Sequence, residues 1–448
     1  MKTFLFCARN IEDYLSPLIK ATEKKLVDLK DKNLLATADV QNLFHSVIKS
    51  HFDSERHINA PISDAISTGI DGVKLDFNFG LRLEVPAGNW RVRISDFDSG
   101  VVFFDKLVSD VRLISLENYY IHWQVELYLD GVKTFSHVMD LTGRKVLISI
   151  PKIGMGDIIA ALPYVQEMKR RYNFRVSMIL PQFLSDFAAY LYPDIAQERE
   201  VSCKHYATFH LFMPFNILPV WSVDMRNCPM DRIAGVALGI NTLPQKPIFE
   251  PNMAPVTDDP YVCIAVQASV AKKGWLYPNG WDIVVNYIKS LGYRVFCIDR
   301  DAENFDKDLG IDIRKPQAAE NFTGDIAIME RANMLYYAEF FIGLGSGLAW
   351  LADAVGCPAV LIAGFSQDWC EFYTPYRVAN RMVCNGCFND IRVNYLNTNC
   401  PYHEGTEREF ECQKKISPRQ VINAIEKLII NEHLTPPVLR SQAIGGRF

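Results

Sequence analysis

The stretch that decides the fold runs from Lys145 to Arg171, KVLISIPKIGMGDIIAALPYVQEMKRR. Val146–Ile150 is a short, largely apolar run, as expected of a strand covered on both faces. Gly154 and Gly156 form a turn, and Ile158–Arg171 continues with helical spacing. A second apolar run, Phe174–Leu180, and a helix-prone segment, Pro181–Tyr192, follow. Strand, helix, strand in this order predicts parallel β-α-β units. The pattern returns downstream. Strands expected at Tyr261–Gln267, Tyr293–Asp299, Phe340–Leu344 and Pro358–Ala363 alternate with helices at Trp281–Leu291, Arg331–Ala338 and Leu348–Val355. Between the two series, Leu218–Pro260 is rich in proline and reads as an inter-domain connection. Two such lobes in tandem leave a crevice between the carboxyl ends of their strands, where ligands bind.

Upstream the grammar differs. Residues 1–72 are helix-prone and polar and read as an extension. Residues 73–143 alternate with period two: Leu81, Leu83 and Val85, then Trp90, Val92 and Ile94, then Ile121 through Leu129 up to Asp130-Gly131. An Asp-Gly pair between alternating runs is a strong hairpin signal, because both central residues must take positive φ. A small antiparallel sheet or barrel is the natural reading, a β-rich, barrel-like domain. The expected fold class is therefore α/β: a GT-B arrangement of two Rossmann-like domains, 144–250 and 251–436, preceded by the β domain and followed by a tail, 437–448. Fold alone chooses no chemistry.

Of the 448 residues, 47 are Lys or Arg and 52 are Asp or Glu, a net charge of −5. That balance argues against broad attraction to phosphate backbones or anionic membranes. Phe4–Ala8 is too short for a signal-peptide core, and no run reaches the ~18–20 apolar residues of a membrane span. A cytoplasmic protein is expected, with no nucleic-acid partner.

Three loops carry candidate chemistry. In Gly154-Met155-Gly156-Asp157 the glycines let backbone approach a ligand, while Asp157 sits where the helix starts and reads either as its cap or as a candidate for chemistry. Gln267–Trp281 holds Lys272 and Lys273, which read either as a solvated pair or as a phosphate contact reaching into the crevice. Gly345-Ser346-Gly347-Leu348 lies between a strand and a helix, where free N–H groups and the dipole suit a phosphate, though a tight packing turn has the same composition. A nicotinamide fingerprint fits poorly, since the third glycine position is Leu348. Asp299, at a strand end, is placed either to touch a nucleoside or to cap the next turn.

Of eleven cysteines, four are clustered as Cys384-x2-Cys387-x12-Cys400-x11-Cys412. Two thiolates two residues apart, completed by two from a loop, satisfy a closed tetrahedral metal site. Sulfur chemistry alone leaves zinc and iron open. With four cysteines filling the sphere, His403 is expected to be solvated. A nucleic-acid ribbon is disfavoured, because Arg392 and Arg408 face Asp390, Glu404, Glu407, Glu409 and Glu411 within the segment.

Gly-Asp followed by an apolar run and Leu162-Pro163, and Lys273-x-Trp275 with Pro278 and Trp281, resemble the heptosyltransferases. In place of the Asp-Thr-Gly-Leu-Ser-His usual in lipopolysaccharide heptosyltransferases stands Gly345-Ser346-Gly347-Leu348-Ala349-Trp350. Together with Ala363-Gly364-Phe365-Ser366, Pro375-Tyr376-Arg377-Val378 and the cysteine segment, the chain resembles the bacterial autotransporter heptosyltransferases from about Val85 to Ile430. The resemblance implies transfer of heptose from ADP-heptose to serine or threonine hydroxyls of an autotransporter adhesin passenger. It makes Asp157 the base and Lys273, Gly154, Gly156 and Gly345–Leu348 the donor site, with no divalent ion needed. It moves the metal held by Cys384, Cys387, Cys400 and Cys412 from zinc to structural iron (Fe3+), and it implies a dodecamer. A lipopolysaccharide inner-core heptosyltransferase is the nearest rival.

Overall fold

The computed structural model describes residues 2–6, 60–78, 80–115, 121–150, 154–198, 204–211, 225–306, 311–390, 392–393 and 399–440. Most of the expected extension 1–72 lies outside these residues. The strands of the first half are β1 (Lys2–Phe6), β2 (Lys74–Asn78), β3 (Leu81–Val85), β4 (Trp90–Asp96), β5 (Val102–Val108), β6 (Val111–Ser115), β7 (Trp123–Leu129), β8 (Val132–Val138) and β9 (Lys145–Ser149). Then come α1 (Met155–Tyr172), β10 (Arg175–Ile179), α2 (Ser185–Leu191), β11 (Ala196–Gln197), β12 (Ala207–His210) and α3 (Ile233–Ala237).

β7 and β8 form the hairpin that Asp130-Gly131 announces, with φ of 51° and 84° at the two turn residues. They belong to an open antiparallel sheet of order β5-β4-β7-β8. The remaining β-region strands behave otherwise. β2, β3 and β6 join an eight-stranded sheet, β1-β6-β3-β2-β12-β9-β10-β11. The junction is parallel pairing of β2 with β12, Phe77 opposite Ala207. Of the two readings the segment thus holds the antiparallel sheet and not a closed barrel, and a second sheet runs across the expected boundary at residue 143. Period-two alternation specifies which face of a strand is buried and not which strand it pairs with. A buried ion pair fastens this sheet: Arg82 donates to both carboxylate oxygens of Asp76, at 2.8 and 2.6 Å.

The rear lobe contains β13 (Tyr261–Ile264), α4 (Gly280–Ser290), β14 (Arg294–Cys297), the hairpin β15 (Glu303–Asp306) and β16 (Ile311–Arg314), β17 (Glu320–Asn321) and α5 (Ile328–Tyr337). It closes with β18 (Phe340–Leu344), α6 (Gly347–Ala354), β19 (Ala359–Ile362), β20 (Arg377–Val378), α7 (Glu411–Lys414) and α8 (Pro418–Asn431). Its six-stranded sheet, β17-β14-β13-β18-β19-β20, is wholly parallel. Successive residues of β13 enter different cores. Tyr261 and Cys263 join the cluster shared with the front lobe, and Val262 and Ile264 join the one beneath α4 and α8. Burial on both faces explains why these strands read as continuous apolar runs.

Each expected β-α-β helix and strand forms, with ends displaced by a few residues. The proline-rich segment is more than a connection. Within its described part, 225–260, α3 buries Ile233, Ala234 and Ala237. Gly235 meets the ring of Tyr164 so closely that a Cβ would clash with it.

Candidate functional site

α1 begins at Met155 rather than at Ile158, because Gly154 takes the extended N-cap conformation. Asp157 is therefore the third helical residue and not the cap. Its carboxylate folds back over the chain: a Cβ on Gly154 would lie 2.8 Å from Asp157 Oδ2. Burial raises the Asp157 pKa above its ordinary value, opposed first by the charge of Lys273 and then by backbone N–H groups of Asp157 and Gly154. A carboxylate kept partly desolvated, facing one cation, is a stronger proton acceptor than an exposed one.

The two expected lysines part company. Lys272 is buried, and its surroundings include the thiols of Cys387 and Cys400. Its Nζ lies 5.2 Å from the ring centre of Phe365. Lys273 is only partly buried and is the lysine that acts on Asp157. Front and rear loops meet directly. A Cβ on Gly156 would lie 3.0 Å from Trp350 Cγ and closer still to Cδ1, and a Cβ on Gly347 would lie 2.9 Å from Met155 Cβ. These glycines thus allow one lobe's backbone to approach the other. Gly345 is crowded likewise, a Cβ there falling 2.6 Å from Glu371 Oε1. Ser346 caps α6 in extended backbone, yet its Oγ is buried without a hydrogen-bond partner. At the amino end of α6 this leaves an unused hydroxyl and free first-turn amides, the groups that receive an anion.

Asp299 is held by the loop after β13. It is buried and accepts from the amides of Val266, at 2.7 Å, and Gln267, at 3.2 Å, so it ties β14 to the loop after β13. Burial pushes its pKa up to about 6. Beneath the Gly345 turn lies a network the sequence did not announce. Glu371 accepts from Ser366 Oγ at 2.6 Å and pairs with Arg377 at 2.9 Å. These residues sit apart in sequence with no shared spacing, so only the fold joins them.

The clustered cysteines share one region of the rear lobe: Cys384, Cys387 and Cys400 all help to raise the pKa of the Cys412 thiol, after burial. Gly386, at φ 72°, makes the turn between Cys384 and Cys387, and its N–H donates to Gly364 O at 2.9 Å. Burial raises the thiol pKa values of Cys384 and Cys412, and that of Cys387 to about 12. Thiols largely screened from water suit a thiolate-bound transition metal, but the ligand atoms that this structure holds within 4.8 Å of one another are those of Cys384, His403 and Glu411 rather than four sulfurs. The expectation of a solvated His403 fails. A ring nitrogen of His403, Cys384 Sγ and a Glu411 carboxylate oxygen all lie within 4.8 Å of one another. Glu411 is already engaged, accepting from the Cys384 amide at 3.0 Å and from Arg408 Nη2 at 2.6 Å. Histidine and glutamate thus flank the cysteines.

Among the described residues no helix is long and apolar enough to cross a membrane. Two doubly wound lobes whose glycine loops touch have the arrangement of the GT-B glycosyltransferases. Residues 69–131 match the family described as glycosyltransferase TibC, N-terminal domain. The chain is 38% identical over 373 residues to the autotransporter heptosyltransferase BAHTCr of Citrobacter rodentium, covering 80% of this chain and 90% of that one. Crystal structures of TibC from Escherichia coli, a dodecameric iron-containing glycosyltransferase, one of them with ADP-D-beta-D-heptose, superpose with TM-scores of 0.77 and 0.76 at 35% and 34% identity. They cover 83% of this chain and 99% of TibC. A relative from Burkholderia thailandensis, BimC, 30% identical over 83% of this chain and 90% of its own length, is described as inactive. The chain belongs to the autotransporter heptosyltransferases.

Proposed function

We propose that this protein transfers heptose from ADP-heptose to serine or threonine hydroxyls of an autotransporter adhesin passenger, in the cytoplasm. Since one relative is inactive, membership alone does not carry the activity. The carrying observation is that half-buried Asp157 of the front lobe feels the charge of Lys273 of the rear lobe near where the two glycine loops touch.

The reaction is one inverting displacement. The acceptor oxygen bonds to the anomeric carbon, the bond from that carbon to the diphosphate oxygen breaks, and the hydroxyl proton passes to Asp157. Positioned acid–base groups contribute ~100- to 10,000-fold. ADP leaves with its charge met by Lys273, by the amides of Gly345–Leu348 and by the free Ser346 hydroxyl, so no divalent ion is required. Gly154 and Gly156 hold the front backbone against this cradle. Cys384, Cys387, Cys400 and Cys412 would hold iron, a closed S4 set that shapes the rear lobe and offers no open coordination position. An assembly of twelve subunits is supported by likeness to the dodecameric TibC. The inner-core lipopolysaccharide reading is disfavoured by the autotransporter relatives.

Co-expression with an adhesin passenger, read by intact mass, is expected to show heptose-sized increments. Asp157→Asn should abolish them while still binding ADP. An unmodified passenger with the native enzyme, or normal modification by Asp157→Asn, would refute the proposal.

A further inference from the structure

The cysteine module is tied to the donor loop through one side chain. Gln413 follows Cys412 and is fully buried. Its Nε2 donates to Lys272 O at 3.0 Å, and its own carbonyl accepts from the Leu276 amide at 3.3 Å. One residue therefore clips both ends of the turn that carries Lys273. Trp275 extends the clip, its Nε1 donating to Ile416 O at 2.8 Å. Gln413 Oε1, in contrast, is buried without a partner. A buried amide left half unpaired costs free energy that a methionine of similar volume would avoid. Packing alone does not account for a glutamine here, but the bond to Lys272 O does.

From this geometry we infer that Gln413 is a positioning residue for Lys273, holding the phosphate-contacting lysine in register with the metal module. The inference rests on the proposed donor role of Lys273. Gln413→Met keeps the volume and removes the bond. It is expected to retain the metal, measured by elemental analysis, and the native oligomer size. Its affinity for ADP, read by calorimetry, should fall about 3- to 10-fold, the loss expected for one hydrogen bond. KM for ADP-heptose should rise in step while KM for the acceptor stays unchanged. Trp275→Phe, which removes the other clip, should move the same quantities in the same direction. Unchanged ADP affinity in Gln413→Met, beside a clear loss in Lys273→Met, would overturn the inference and leave the donor reading standing. Unchanged ADP affinity in Lys273→Met would overturn the donor reading and this inference with it. Loss of the metal in Gln413→Met would also overturn it, by showing that the residue serves the module itself.

Discussion

Replacing Gly156 by alanine tests the claim that the two lobes meet through bare backbone. The added Cβ would stand 3.0 Å from Trp350 Cγ and nearer still to Cδ1, against ordinary carbon contacts of ~3.5–4.0 Å. Trp350 cannot swing aside, because it is 2% exposed and packed edge-on against Phe372 with ring centres 5.3 Å apart. The front helix must therefore retreat by on the order of 1 Å, typical of overpacking that costs about 1–3 kcal/mol. Alanine is better than glycine inside a helix by about 1 kcal/mol, so net destabilisation should be only about 0–2 kcal/mol. The rate should suffer more. Asp157 is the next residue, and a 1 Å misplacement of a catalytic group costs about 100-fold. Equilibrium unfolding and single-turnover transfer to a purified passenger would separate the two effects. Trp350→Leu in the Gly156→Ala background should restore space and recover at least about tenfold of the lost rate. Full activity in Gly156→Ala, or no recovery in the double variant, would refute the close-contact argument.

The pH profile follows from the raised Asp157 pKa. The base works only when ionised, so kcat/KM should fall with acid through a pKa above that of an ordinary aspartate. Lys273 is what holds this pKa down, so Lys273→Met should move the acid limb to higher pH; an unmoved limb would dissociate the pair. Cys387→Ala should lose the metal and the large assembly together, as read by elemental analysis and light scattering, and a metal-free ring would show the module to be dispensable for assembly. Arg82→Met would leave Asp76 as a buried unpaired charge and should destabilise the front lobe by about 3–5 kcal/mol in denaturant unfolding.

Local pattern carried the sequence far. Val146–Ile150, Tyr261–Gln267 and Phe340–Leu344 read as buried strands because both of their faces are apolar, and Asp130-Gly131 read as a hairpin because few residues tolerate its φ values. The cysteine spacing placed a candidate metal site in this segment, but it said nothing of His403 and Glu411, the residues found beside Cys384. What escaped was every partnership between distant segments. Nothing near Phe77 says that β2 will lie beside β12, which is why the β-rich segment looked like a separate sheet or barrel.

Sequence by itself determined that the chain holds two β-α-β lobes, that Asp157 and the Lys272–Lys273 pair follow strands of different lobes, and that four cysteines fall within one short segment. Tertiary structure alone decided which lysine faces Asp157, that Asp299 serves the scaffold, that His403 and Glu411 flank the cysteines, and that Gln413 joins that module to the lysine turn. The division has a physical cause. Dihedral preference and hydrophobic period act over a few neighbouring residues, whereas burial, charge pairing and close backbone approach belong to residues that meet only after the chain has folded.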